Sequence, residues 1–140
     1  MDNFITLFNL IGVLVRRRYK AAERNFYVLG LNNTQARLLT NLGQKNGAVI
    51  QDALSNSIFI DRSNVGRALK RLEQKGYISR CKHDDDKRAN FVKITAKGRK
   101  VIVEISKLRN KMAQDFFGDL KEQEAGTIVE LLRKAVPIEK

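Results

Sequence analysis

A single cysteine, Cys81, stands among 140 residues, so no internal disulfide can form and no cysteine-rich zinc site is available. That scarcity fits a reducing compartment, and we expect a cytoplasmic protein. Histidine is just as rare, with His83 alone. The sequence holds no Ser/His/Asp or Cys/His arrangement and no phosphate-binding glycine loop, which leaves catalysis without a candidate. No enzyme activity, cofactor or metal is expected. No run of about 18 apolar residues occurs, so no membrane-spanning helix is expected. The opening "MDNFITLFNLIGVLVRRRYK" has an apolar run, but its basic residues follow that run and no small-residue cleavage site appears. It is expected to be a structural helix rather than a signal peptide. Repeats and low-complexity linkers are also missing, and the length suits one domain.

Acidic residues are the minority: 15 against 27 lysines and arginines, a formal net charge of +12. A pI of about 10.1 points to nucleic acid or an anionic membrane surface as partner. The excess is concentrated. Residues 61 to 100 hold thirteen basic and five acidic side chains, +8 of the total +12. A nucleic-acid site should therefore lie mainly in that segment.

Residues 3 to 29 have the spacing of a long helix, with Phe4, Phe8, Ile11 and Val15 at helical intervals. Ile5, Leu7, Leu10, Val13 and Leu14 widen the apolar surface nearly all round. Such a helix needs burial, and a partner subunit is the plausible source. Asn32 and Gln35 can form a capping box before Leu38, Leu39 and Leu42. Gly43 and Gly47 should close that helix. A short helix is expected at about 50 to 57. Asp61 should cap the next, in which Val65, Ala68, Leu69 and Leu72 turn inward and Gly76 ends the run. Gly66 is unusual inside it, at about 1 kcal/mol below alanine in helix preference. The period then changes to two over "YISRCKH" and "NFVKITA", which predicts a two-stranded hairpin. Thr95 should cap a long helix carrying Val101, Ile105, Leu108, Met112 and Phe116. A last helix, about 120 to 135, carries Ile128, Leu131, Leu132 and Ala135, and Pro137 follows it.

Three short helices followed by a hairpin is the order of a winged helix-turn-helix, whose second helix-turn-helix element enters the DNA major groove. Opposite Val65, Leu69 and Leu72, that helix presents Arg62, Ser63, Asn64, Arg67 and Arg71. Arginine binds guanine O6 and N7, and asparagine pairs with adenine. Ser63 and the free N–H groups of the helix start suit a phosphate. An arginine-rich solvated face is the plainer reading, and the adjoining hairpin argues against it.

Residues 60 to 98 resemble the MarR family of transcriptional regulators. The likeness rests on Ser63, Val65 and Arg67, then Leu72, Glu73, Lys75 and Gly76, then Asp86, Arg88, Ala89, Val92, Ile94, Thr95 and Gly98. It extends over the helix at 32 to 42 and the terminal helices. The implied fold is mainly α with a small β-hairpin wing: dimerisation helices at 1–30 and 118–140, a winged helix-turn-helix at 31–98, and a long connecting helix at 96–117. The resemblance implies a homodimer on a pseudo-palindromic double-stranded DNA operator, most commonly as a repressor, with a small-molecule effector of unstated identity. Its interlocking surface would include Phe4, Leu7, Phe8, Ile11, Ile128, Leu131 and Leu132. It also implies a wing arginine in the minor groove, steadied by an aspartate. Here those residues are Arg88 and Asp86, beside Lys87. Asn64, Gly66 and Asp84 depart from residues common in the family, namely threonine, a small polar residue and proline.

Three features admit other readings. A lone thiol is ordinarily a small buried residue, so a redox role for Cys81 is not favoured. His83 with Asp84, Asp85 and Asp86 rarely converges on one ion from a hairpin tip. Arg16, Arg17 and Arg18 would ordinarily be a solvated helix face. A sequence-tolerant architectural DNA- or RNA-binding protein is the alternative function. A membrane-attached basic protein is a weaker one.

Overall fold

A computed structural model describes residues 2–45, 47–58, 60–82 and 90–136. Helix α1 spans Asn3–Phe26 and runs into a single 3-10 turn, Tyr27–Leu29. Helix α2 is Asn33–Gly43, strand β1 is Val49–Ile50, helix α3 is Gln51–Ile58 and helix α4 is Arg62–Gln74. Strands β2 (Ile78–Lys82) and β3 (Asn90–Ile94) follow, then helices α5 (Ala96–Phe116) and α6 (Glu122–Ala135). The fold is a mainly helical winged helix-turn-helix, as the sequence suggests. Among the described residues no helix is long and apolar enough to cross a membrane.

Local chemistry sets the element boundaries. The Asn32 side chain accepts from the Gln35 N–H at 2.8 Å, and the Gln35 side chain accepts from the Asn32 N–H at 3.0 Å. This reciprocal pair satisfies two donors that the start of α2 would otherwise leave bare. Gly76 ends α4 with φ of 81°, a left-handed value that glycine adopts without strain. The Thr95 hydroxyl accepts from the Gly98 N–H at 3.0 Å and donates to the Gly76 carbonyl at 2.7 Å. One side chain thus caps α5 and ties it to the end of α4.

The core lies under the winged region. Leu38, Leu39, Leu42, Leu54, Val65, Leu69, Leu72, Ile78, Val92, Ile94 and Ile105 are buried there. They come from α2, α3, α4, both hairpin strands and α5, so burial of one apolar face per element fixes the arrangement. The sheet is antiparallel in the order β1-β3-β2. Arg80 pairs with Val92 and Ile78 with Ile94 across the hairpin. The third strand is a correction to the expected two-stranded wing: Val49 pairs with Val92 and Ile50 with Phe91. Two residues are too few to display a period, which is why the sequence pattern does not reveal it.

Helix α1 joins this core only at its end, through Ala22 and Phe26. Its first half stands clear of the chain, with Phe4 84% and Phe8 80% exposed. No residue of α6 is buried. Cys81 is exposed on β2, against the expectation of a small buried thiol. It occupies the outward position between Arg80 and Lys82, and only Ile78 of that strand is buried.

Candidate nucleic-acid interface

Helix α4 is set by a cap at its start and an apolar stripe along its length. Asp61 Oδ1 accepts from the Asn64 N–H at 2.9 Å. Val65, Ala68, Leu69 and Leu72 are buried. The opposite face, with Arg62, Ser63, Asn64, Arg67, Lys70 and Arg71, is exposed throughout. All five residues expected to face DNA therefore share one solvent-facing surface. The far end of α4 is tied to the hairpin, because Arg80 Nη2 lies 3.1 Å from Glu73 Oε1. Lys75 donates from Nζ to the Gly30 carbonyl, and Lys97 donates to the Lys75 carbonyl at 2.8 Å. Helix, wing base and α1–α2 connection are thus braced together.

Several of these side chains engage one another. Arg62 Nη2 lies 2.7 Å from Asp52 Oδ2 on α3, both exposed. Asn64 Nδ2 donates to Asp61 Oδ2 at 2.9 Å, and Arg67 Nη2 donates to Asn64 Oδ1. Beside α4, a cleft of about 970 Å³ runs toward the start of α2. Thr34, Asn64, Arg67, Lys70, Arg71 and Lys75 line it together with Tyr27 of the 3-10 turn. Its cations suit an anionic strand.

Three residues of this surface escape the sequence reading. Lys70 lies three positions after Arg67, so helical spacing alone could have placed it on the same face. Asp52 and Thr34 belong to other helices, and only the packing of α2 and α3 against α4 brings them near. The wing residues Asp86, Lys87 and Arg88 lie outside the described residues, as do His83, Asp84, Asp85 and Ala89. Among the described residues no group of three or more His, Cys, Asp or Glu side chains could hold a metal. The residues expected at a subunit interface lie elsewhere. Phe4, Leu7, Phe8 and Ile11 of α1, and Ile128, Leu131 and Leu132 of α6, are all exposed.

The model of the MarR family matches residues 31–89. An uncharacterized HTH-type transcriptional regulator of Bacillus subtilis, YdgJ, is 28% identical over 105 residues, 75% of this chain and 63% of that protein. The chain therefore spans less than two thirds of that relative. The transcriptional regulator HosA of Escherichia coli O157:H7 is 28% identical over 104 residues, 74% of this chain and 76% of its own. In fold, the chain is similar to a mutant MarR from E. coli complexed with operator DNA, with a TM-score of 0.81. That likeness covers 98% of this chain and all of the other at 24% identity.

Proposed function

We infer that this chain belongs to the MarR family, whose model matches residues 31–89, and propose that it is a sequence-specific double-stranded DNA-binding repressor. It acts as a homodimer on a pseudo-palindromic operator, in the cytoplasm. The observation that carries the reading is the outward face of α4, which gathers Arg62, Ser63, Asn64, Arg67, Lys70 and Arg71 on a helix braced against the wing base. The crystal structure of MarR with operator DNA supplies the precedent in the same fold.

In this proposal α4 enters the major groove. Arg67 and Arg71 face base edges, Ser63 and Lys70 meet phosphates, and Asp52 sets the direction of Arg62. Arg88 with Lys87 enters the minor groove from the wing, oriented by Asp86. The exposed apolar faces of α1 and α6, which lie within the terminal segments 1–30 and 118–140, supply the dimer contact, because such patches mark association sites. Two copies then place their recognition helices about one turn of DNA apart, roughly 34 Å. A bound dimer covers the duplex it occupies, which is the simplest route to repression.

A cleft of about 590 Å³ lies between α1, α2 and α5. Phe26, Ile105, Met112 and Phe117 give it apolar walls, and Arg18, Arg37 and Arg109 edge it. Arg37 is partly committed, donating to the Ile58 carbonyl at 2.8 Å. This chemistry suits a small anionic aromatic effector that loosens DNA binding from the joint between dimer helices and winged region.

The roles on α4 are tested by contrast. Arg67→Ala should relax preference at one base pair and cost about 1–3 kcal/mol there. Lys70→Ala should weaken all sequences alike and reduce the salt slope by about one. Fluorescence-anisotropy titrations on a set of single-base operator variants separate the two. Equal behaviour of both variants on every sequence would remove the groove assignment.

A further inference from the structure

The six residues on the outward face of α4 are not equivalent. Asn64 sits three residues after Asp61 and three before Arg67, so all three share one strip of the helix. Asp61 accepts twice from Asn64, from its backbone N–H and from Nδ2, each at 2.9 Å. The other end of the Asn64 amide, Oδ1, accepts from Arg67 Nη2. We infer that Asn64 is a positioning residue: Asp61, Asn64 and Arg67 form a hydrogen-bond relay that aims the Arg67 guanidinium at its base. This inference rests on the proposed DNA-reading role of α4 and revises the part the sequence assigns to Asn64.

The polarity of the relay follows from its ends. A carboxylate accepts only, and a guanidinium donates only. An amide between them satisfies both in one orientation, Nδ2 toward Asp61 and Oδ1 toward Arg67. The flipped amide would face oxygen to oxygen and N–H to N–H. Reading adenine bidentately needs Nδ2 and Oδ1 presented together to one base edge. Here both ends are engaged along the helix instead. The guanidinium keeps further donors for a guanine, since it carries five N–H groups and lends one to Asn64. On the free protein these exposed bonds compete with water. Once DNA covers the face and excludes water, the relay strengthens. A side chain already held in its bound direction also loses less conformational freedom on binding.

The test is base-pair preference, measured with the full chain on a selected operator and its single-base variants. Arg67→Ala, Asn64→Ala and Asp61→Asn should flatten preference at one and the same base pair, by roughly ten- to a hundredfold. Asp61→Asn is the informative variant, because asparagine caps a helix as well as aspartate does. Its Nδ2 would face Asn64 as a donor and reverse the amide, so the relay breaks while the melting temperature stays near wild type. The double variant Asp61→Asn, Asn64→Asp again pairs a donor with an acceptor at both links, the first link now running from residue 61 to residue 64, with no change in net charge. It should recover preference at that base pair. If Asn64→Ala flattens a different base pair from Arg67→Ala, Asn64 reads a base itself and the relay is wrong. Unchanged preference in Asp61→Asn, or no recovery in the double variant, overturns it equally. A wild-type chain that selects no sequence from random duplex removes the DNA-reading role as well, which separates that failure from failure of the relay.

Discussion

Gly98 shows how much one missing side chain can decide. It lies in the first turn of α5 against the turn that opens the wing. A Cβ there would sit 2.2 Å from the Tyr77 carbonyl oxygen and 2.8 Å from Ile94 Cγ1. That carbonyl cannot swing away freely, because it accepts from the Thr95 N–H at 3.0 Å. Gly98→Ala should therefore cost about 1–3 kcal/mol, as overpacking of a tight site does. Thermal melting would register this as a midpoint several degrees lower, and an unchanged midpoint would show that the join has slack. Gly66 is the opposite case. Its added Cβ would meet only Gln51 Nε2, at an ordinary 3.8 Å. Gly66→Ala should stabilise the chain by about 0.5–1 kcal/mol through helix preference, readable as a higher denaturation midpoint. A lower midpoint would mean that α3 and α4 need the glycine to approach.

At the scale of elements, most of α4 is legible before any coordinates. The spacing of Val65, Ala68, Leu69 and Leu72 gives its buried side, Asp61 its start and Gly76 its stop, each a local signal. The Asn32–Gln35 box and the Thr95 cap are legible for the same reason. Contacts between elements are not. The ion pair of Arg62 with Asp52 joins α4 to α3 over ten residues of sequence. The cleft that sets Thr34 near Lys70 exists only because α2 packs beside α4. Strand β1 is too short to announce itself. Asn64 is the subtlest instance. Residue type alone makes it an adenine reader, whereas its neighbours at three-residue spacing turn its amide along the helix. The Glu73–Arg80 pair is partly exposed, 40% and 24% at its two side chains, and its value is alignment of α4 with the wing rather than stability.

The whole molecule divides into a well-buried winged region and terminal helices whose apolar faces, at the start of α1 and along α6, stay exposed among the described residues. Such faces persist in solution when a second copy covers them. Leu7, about half exposed on α1, is a direct probe. Leu7→Glu should shift the chain from dimer to monomer in sedimentation equilibrium, since a carboxylate buried at an apolar contact has no partner there. DNA affinity should fall with it, because two linked half-sites give way to one. A monomeric wild-type chain would return the faces of α1 and α6 to another partner. The central claim, a dimer that reads duplex sequence through α4, meets its most direct test in one competition titration. Full-length protein binds a labelled duplex obtained by selection from random DNA, challenged with random duplex at physiological salt. The account predicts a preference of about a thousandfold or more for the selected site. A ratio near one would contradict it, because backbone electrostatics alone would then explain the binding.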